Sequence, residues 1–320
     1  MAASARPTWP LATAMATNVL SVVGVVGFNK YLWSKDGFNY PVFLSALHYL
    51  FSSIGTRLLL RCGVINYMPI PWRQTISLAM GVLGSVGFMN LNLAANSVGF
   101  YQLSKLACIP VTVWLEQAFF CKRVSQRVKL TLIPLLIGGC LATVYDVSLN
   151  LRGSAYALAA ILCTVHVQIV SSRAYNQIGC NPLQLLLHVA PVVAAGMLLF
   201  ALFFDDLPAL ARHEVGSGTA YRILGSCCLA FVVQLSNFLV LGKTSALTYQ
   251  VLGHLKTICI LGLGFTVFGS PIMAKQMTGI AITLVGAVLY SEAKRAEAAG
   301  TAVSSLPPGK TKARKAGPHH

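Results

Sequence analysis

The sequence contains the apolar stretch SVGFYQLSKLACIPVTVWLEQAFF at residues 97–120. A related apolar stretch is SALTYQVLGHLKTICILGLGFTVF at residues 245–268. Each stretch is long enough to cross a bilayer as a helix, which takes about 20 residues. Both begin with Ser, carry a Tyr-Gln pair four residues later and contain a single Lys. A lysine inside a membrane span is costly and therefore indicates function. The two stretches predict a membrane protein with internal repetition and a cationic site within the bilayer.

The composition of the whole chain also predicts a membrane protein. Of 320 residues, 56% are hydrophobic and 10% are charged, and the mean hydropathy is +0.69. Apolar windows of about 20 residues predict spans at residues 10–33, 41–61, 74–95, 98–121, 128–147, 153–172, 183–204, 221–242, 246–269 and 274–293. Almost no chain remains between these spans to build a separate soluble catalytic domain. The function must therefore reside in the membrane bundle.

The second half of the chain repeats the first. A shift of 148 residues moves Ser97 onto Ser245 and carries the third, fourth and fifth predicted spans onto the eighth, ninth and tenth without a gap. Five spans per half is an odd number, so the second half enters the membrane from the opposite side, as in the inverted repeats of secondary transporters. We predict an all-α membrane protein with ten transmembrane helices as a 5+5 inverted repeat. The repeats are residues 10–150 and 151–295, and the site lies between them.

The distribution of basic residues predicts that both termini are cytosolic. With this orientation the cytosolic loops carry no acidic residue and hold Arg57, Arg61, Arg73, Lys122, Arg123, Arg127, Lys129, Arg173 and Lys243, whereas charges on the opposite face nearly cancel. Residues 1–9 are predicted to be an N-terminal tail, with no transit peptide or cleaved signal. Residues 296–320 are predicted to be a basic, disordered cytosolic tail beside lipid. No aromatic or folded module accompanies these charges, so nucleic-acid binding is not expected.

The sequence contains no motif of a catalytic, metal or cofactor site. Zinc-ligand spacing, a Walker loop, a Ser-x-x-Lys signature and paired carboxylates are all missing from it. The nine cysteines lie mostly within or beside the predicted spans, without a Cys-x-x-Cys pair, and are interpreted as small apolar fillers. We therefore expect neither an enzyme nor a bound metal or cofactor.

The two intramembrane lysines are the strongest candidates for a binding site. Lys105 lies seven residues into its span, where a side chain can still extend to the headgroups, but Lys256 lies ten residues into its span, where that alternative explains it poorly. Tyr101 and Tyr249 precede them by four and seven residues, so each tyrosine shares a helix face with its lysine. Two facing ammonium groups repel in a low dielectric unless an anion lies between them. A phosphate or diphosphate suits lysine and tyrosine donors, which predicts a carrier of organic phosphates.

Four segments of the sequence resemble a known transporter family. They are NSVGFYQLSKLACIP (96–110), YDVSLNLRG (145–153), NFLVLGKTSALTYQVLGHLKT (237–257) and KQMTGIAITLVGAVLYS (275–291). The resemblance extends over about residues 10–293. It is to the nucleotide-sugar and triose-phosphate transporters of the drug/metabolite transporter superfamily, in particular to the E3-like Lys-Thr subgroup of solute carrier family 35.

This resemblance implies a ten-helix inverted repeat in the lipid bilayer of the Golgi or endoplasmic reticulum. It also implies antiport of a cytosolic nucleotide sugar against a lumenal nucleoside monophosphate by alternating access. The oligomeric state stays open, with a homodimer among the expected assemblies.

The plastid phosphate translocators of this superfamily hold phosphate with a Lys in span four and a Lys-Arg pair in span nine. Lys105 and Lys256 match the two lysines, but Thr257 stands where the Arg would be. Loss of a bidentate phosphate donor argues against triose phosphate as the substrate. The guanine-reading Phe-Tyr-Asn-Asn motif is absent near span seven, where LQLLLHVAP stands, so a UDP-sugar is the preferred substrate. The alternatives are a triose phosphate or another organic phosphate, an uncharged metabolite, or a membrane scaffold without transport.

Several other polar residues within the predicted spans have two interpretations each. Asn92 and Gln250 either contact the substrate or form hydrogen bonds between helices. His254 either contacts the substrate or is satisfied by a backbone carbonyl. Glu116 either carries a coupling proton or pairs with cytosolic cations where its span ends.

Two prolines within predicted spans are candidate hinges. Pro110 and Pro191 each remove a hydrogen bond from the helix interior beside the proposed cavity. We therefore predict that the fourth and seventh spans bend at these residues.

Overall fold

The computed structural model of the protein describes residues 10–96, 98–120, 124–143, 151–266 and 273–304. Within these ranges the chain forms eleven α-helices and no strand. They are α1 (Leu11–Ser34), α2 (Pro41–Arg61), α3 (Trp72–Ala95), α4 (Val98–Phe120), α5 (Gln126–Thr143), α6 (Leu151–Gln177), α7 (Pro182–Phe204), α8 (Leu207–Arg212), α9 (Ser217–Lys243), α10 (Ala246–Thr266) and α11 (Ala274–Ser304). Six helices in the described part, α1, α2, α3, α6, α7 and α9, are long and apolar enough to cross a membrane.

The ten long helices coincide with the ten predicted spans, and each begins within four residues of its predicted start. Three differences stand out. The short helix α8 was not predicted, α6 continues five residues further, and α11 extends to Ser304 instead of ending near residue 293. The first nine residues of the segment predicted as a disordered tail, 296–304, are therefore helical. The rest of that tail and the N-terminal tail at residues 1–9 lie outside the described residues.

The helix starts follow from local sequence signals. Pro41 and Pro182 occupy the first turns of α2 and α7, where no backbone donor is needed. Asn181 caps α7, because its side chain accepts the backbone N–H of Gln184 at 2.9 Å and the Gln184 side chain accepts the Asn181 N–H at 2.8 Å. The Gln184 amide also donates to the carbonyl of Asn66 at 2.8 Å. The start of α7 is thus tied to the loop between α2 and α3.

The helices pack in pairs that relate the two halves of the chain. In the first half α1 packs on α9 of the second half, and in the second half α6 packs on α3 of the first. Helices α2 and α7 pack on each other, as do α5 and α11. Exchanging α1–α5 with α6, α7, α9, α10 and α11 converts the α1–α9 pair into the α6–α3 pair and leaves the α2–α7 and α5–α11 pairs unchanged. A pseudo-twofold axis between the halves would produce this symmetric set of helix pairs.

The contact between α5 and α11 depends on glycine. A Cβ atom on Gly138 would overlap the backbone of Thr283, and a Cβ atom on Gly279 would overlap the backbone of Ala142. The two helix backbones therefore touch directly, as small residues allow in membrane helix pairs.

Charged and aromatic side chains hold together the loops at one end of the bundle. The Arg222 guanidinium of α9 donates to both carboxylate oxygens of Asp36, at 2.6 and 2.7 Å, and lies 5.1 Å from the centre of the Tyr31 ring. The Asp205 carboxylate at the end of α7 accepts the backbone N–H of Phe43 at 2.6 Å. Partial burial raises the pKa of Asp205, and the amide hydrogen bonds from α2 oppose this shift. These contacts join the α1–α2 connection to α9 and the first turn of α2 to the end of α7.

Replacing Arg222 or Asp36 by Ala is expected to lower the melting temperature of the detergent-solubilised protein, because either change leaves the partner charge without its bidentate ion pair. The exchange of both residues, Asp36→Arg with Arg222→Asp, should recover part of the loss. Arg212→Ala, on the exposed face of α8, is the control and should have little effect. If the melting temperature of the double variant falls by as much as the two single decreases added together, the ion pair does not join these segments.

Candidate functional site

A cavity of about 470 Å³ lies between α4 and α10, and α1, α3, α5, α6 and α11 complete its wall. This volume lies within the range of about 300–1,000 Å³ that is usual for small-molecule sites. Apolar side chains such as Val22, Met89 and Ile258 form part of the lining. Its polar residues are Ser85, Asn90, Tyr101, Lys105, Thr164, Gln168, Tyr249, Gln250, His254, Lys256, Thr257 and Thr283.

Two lysine–tyrosine pairs face this cavity from the two halves of the chain. The Lys105 ammonium on α4 lies 4.1 Å from the centre of the Tyr101 ring, and the Lys256 ammonium on α10 lies 4.6 Å from the centre of the Tyr249 ring. These cation–π contacts confirm that each tyrosine shares a helix face with its lysine. Among the described residues, no carboxylate lies within salt-bridge distance of either lysine. The cavity therefore has two ammonium groups with no anion opposite them in the described part of the chain.

The two lysines differ in their surroundings. Lys105 is exposed to the cavity, whereas only 7% of Lys256 is exposed. The Lys256 ammonium lies 3.5 Å from the side-chain oxygen of Asn237 on α9, and the same oxygen accepts the Tyr249 hydroxyl at 2.7 Å. An amide of Asn18 on α1 donates to this oxygen at 2.8 Å. Asn18 and Asn237 are not among the site residues predicted from the sequence, although each is an asparagine inside an apolar stretch.

The predicted residue Gln250 lines the cavity but is also part of a hydrogen-bond network between helices. Its amide nitrogen donates to the hydroxyl of Thr112 on α4 and, at 2.8 Å, to the side-chain oxygen of Gln168 on α6. This arrangement fixes the side-chain nitrogen of Gln250 between α4, α6 and α10. The network gives Gln250 a role in helix packing beside the cavity.

His254 and Thr257, two further candidates from the sequence, line the cavity from α10. The Thr257 hydroxyl donates to the backbone carbonyl of Gly253 at 3.2 Å, one turn earlier. A threonine that bonds its own helix in this way keeps lone pairs available for a ligand donor. A role of either residue in binding stays a prediction.

Asn92 does not line the cavity. Its side chain is fully buried, donates to the Ser104 hydroxyl of α4 at 2.8 Å and accepts the Asn96 amide at 2.8 Å. Asn90 lines the cavity instead, because residues two apart on a helix point to nearly opposite sides. Of the two interpretations of Asn92, the structure favours the helix-packing one.

The remaining candidates lie away from the cavity. Pro110 and Pro191 are inside α4 and α7, and neither lines the cavity. Glu116 is buried near the end of α4. Bending at the prolines and proton coupling at Glu116 stay predictions.

The chain that forms this cavity is similar to known transporters. The profile of the Triose-phosphate Transporter family matches residues 14–291. UDP-xylose transporter 3 of Arabidopsis thaliana is 36% identical over 283 residues, covering 87% of this chain and 79% of the relative. UDP-rhamnose/UDP-galactose transporter 1 of the same plant is 34% identical over 283 residues, covering 87% and 82%. A solved crystal structure aligns with a TM-score of 0.67 at 14% identity, covering 87% of this chain and 98% of that chain, and so shares the fold.

Proposed function

Because the chain belongs to the Triose-phosphate Transporter family and is a multi-pass membrane protein rather than an enzyme, we propose that it exchanges a cytosolic nucleotide sugar for a lumenal nucleoside monophosphate. This proposal rests on a pair of lysines, one from each half of the chain, that line the same cavity. Each lysine ammonium lies over a tyrosine ring. The exchange proceeds by alternating access, in which the cavity opens to one side of the membrane at a time.

The charge of the cavity favours a phosphorylated substrate. Lys105 and Lys256 place two ammonium groups at one cavity of low dielectric, without an opposing carboxylate among the described residues. A diphosphate in this cavity would supply the missing negative charge and accept charge-assisted hydrogen bonds from the ammonium groups. A nucleoside monophosphate also supplies an anion for the return half of the cycle. Exchange is favoured over uniport, because the empty cavity keeps its two unneutralised charges.

The residue that follows Lys256 supports a nucleotide sugar over a triose phosphate. Thr257 offers one hydroxyl and no charge, whereas an arginine would offer a bidentate donor for a free phosphate group with two negative charges. The named relatives transport UDP-xylose, UDP-rhamnose and UDP-galactose. We therefore assign a UDP-sugar as the substrate, with a triose phosphate or a non-transporting scaffold as the alternatives.

The proposed topology is a 5+5 inverted repeat with both termini in the cytosol. Two observations support it: the helix pairs that interchange when the halves are exchanged, and the excess of Lys and Arg in the loops assigned to the cytosol. The proposed location is the Golgi or endoplasmic reticulum membrane, where a nucleotide sugar made in the cytosol has to reach the lumen.

The proposal is tested with the purified full-length protein in proteoliposomes. Vesicles are loaded with UMP, GMP, CMP or inorganic phosphate, and the uptake of labelled UDP-xylose, UDP-galactose and GDP-mannose is followed. We expect uptake of a UDP-sugar that depends on internal UMP, with unloaded vesicles and protein-free vesicles as controls. Uptake only against inorganic phosphate would assign the protein to organic-phosphate exchange. No exchange of any anion by folded protein would favour the scaffold.

A further inference from the structure

We propose that Asn237 is a positioning residue, which holds the Lys256 ammonium and the Tyr249 hydroxyl in place for a phosphate group and is itself oriented by Asn18. The identity of the ligand as a nucleotide phosphate depends on the proposed function. The positioning of Lys256 does not, because it follows from contacts within the chain.

Three donors meet at a single oxygen atom. The side-chain oxygen of Asn237 accepts the Tyr249 hydroxyl at 2.7 Å and an Asn18 amide hydrogen at 2.8 Å, and the Lys256 ammonium lies 3.5 Å away. The donors come from α1 and α10, while the acceptor is on α9. One amide oxygen therefore connects the lysine–tyrosine pair of the second half to the first helix of the first half.

The neighbours of Asn237 dictate the orientation of its amide. Asn18 donates its side-chain N–H groups both to the Ser236 hydroxyl and to Asn237, each at 2.8 Å. A reversed Asn237 would direct its NH₂ group at the Asn18 NH₂ and at the Lys256 ammonium, neither of which can accept a hydrogen bond. These two donors orient the Asn237 oxygen towards Lys256.

The contact between Asn237 and Lys256 is weak enough for the lysine to bind a ligand as well. A separation of 3.5 Å is at the outer limit of a hydrogen bond, so the ammonium retains its hydrogens for an incoming phosphate. The Asn237 dipole offsets part of the cost of keeping Lys256 in a site where only 7% of it is exposed. A carboxylate here would neutralise the lysine, whereas a neutral amide adds no charge of its own. Lys105, which is exposed to the cavity, needs no such support.

The first test examines Lys256 without any ligand. Purified wild-type protein, Asn237→Ala and Asn237→Asp are treated briefly with acetic anhydride, and the acetylation of each lysine is measured by mass spectrometry. We expect acetylation of Lys256 to rise about threefold or more in Asn237→Ala. The loss of a hydrogen bond to a charged group shifts the equilibrium between the Asn237-bound and the unbound, reactive Lys256 side chain by that factor or more. Acetylation of Lys105 should be unchanged. Ser236→Ala is the matched control, since Ser236 also bonds Asn18 but is not the acceptor near Lys256. Unchanged acetylation of Lys256 in folded Asn237→Ala would overturn the proposal.

The second test measures the affinity for UMP in the same proteins. Asn237→Ala should weaken binding by about tenfold, and the isosteric Asn237→Asp should weaken it further, because a carboxylate competes with phosphate for Lys256. A purely structural role predicts the opposite order, with Asp milder than Ala. If wild-type protein binds no UMP while the acetylation result holds, the proposed substrate is wrong and the positioning role stands. UMP affinity of Asn237→Asp equal to that of wild type would overturn the role in phosphate binding.

Discussion

Replacing Lys105 or Lys256 by Ala is expected to reduce nucleotide-sugar exchange by roughly two orders of magnitude, since a charge-assisted hydrogen bond to phosphate is worth about 1.5–3 kcal/mol and each substitution also removes a counter-charge. Both substitutions should leave the protein folded, because neither lysine is part of an ion pair among the described residues. The measurement is the initial rate of UDP-sugar uptake into UMP-loaded proteoliposomes, normalised to reconstituted protein.

Two further variants make the lysine experiment specific. Lys105→Arg keeps the charge and should retain more exchange than Lys105→Ala. Lys243→Ala removes an exposed cation at the end of α9, outside the cavity, and should exchange at nearly the wild-type rate. Wild-type exchange by folded Lys105→Ala and Lys256→Ala would mean that the cavity between α4 and α10 is not the anion site.

The second large effect is expected at the contact between α5 and α11. Gly279→Ala adds a Cβ atom that would overlap the backbone of α5 at Ala142, and backbone cannot rotate away as a side chain can. Overpacking of this kind costs about 1–3 kcal/mol or more, so we expect a clear fall in the melting temperature and a lower yield of folded protein. The measurement is thermal unfolding of the detergent-solubilised protein followed by intrinsic fluorescence.

Gly262→Ala is the matched control for this experiment, since it adds the same atom to α10 where nothing lies within 4 Å. Its melting temperature should equal or slightly exceed that of wild type, because alanine has the higher helix propensity. Gly138→Ala should behave like Gly279→Ala, as it meets the backbone of α11. Equal stability of Gly279→Ala and Gly262→Ala would contradict the direct backbone contact.

Local properties of the chain were predictable because they depend on neighbouring residues. The ten long helices follow from apolar runs, and the starts of α2 and α7 follow from Pro41, Pro182 and the Asn181 cap. The tyrosine–lysine pairs were predicted from spacings of four and seven residues, which place side chains on one helix face at 3.6 residues per turn. The α8 helix was missed because six residues between two spans carry too little periodicity to be recognised.

The composition of the site could be predicted only in part. Lys105, Lys256, Tyr101 and Tyr249 stand out because charges and phenols are conspicuous within an apolar span. Asn237 does not stand out, because an uncharged amide in a span is as often used for helix packing as for function. Its significance arises only when α1 and α10 place three donors around its oxygen on α9.

The sequence by itself determined that this chain is a helical membrane protein with a lysine in each of two related apolar stretches, because hydrophobicity and helical periodicity act over short distances along the chain. Only the tertiary structure decided which side chains reach a common cavity. Asn90 faces it while Asn92 packs against Ser104, and Lys256 lies against Asn237 while Lys105 is exposed. The physical reason is that the rotation of each helix about its axis is set by packing against helices far away in sequence, and a spacing pattern within one helix does not encode that rotation.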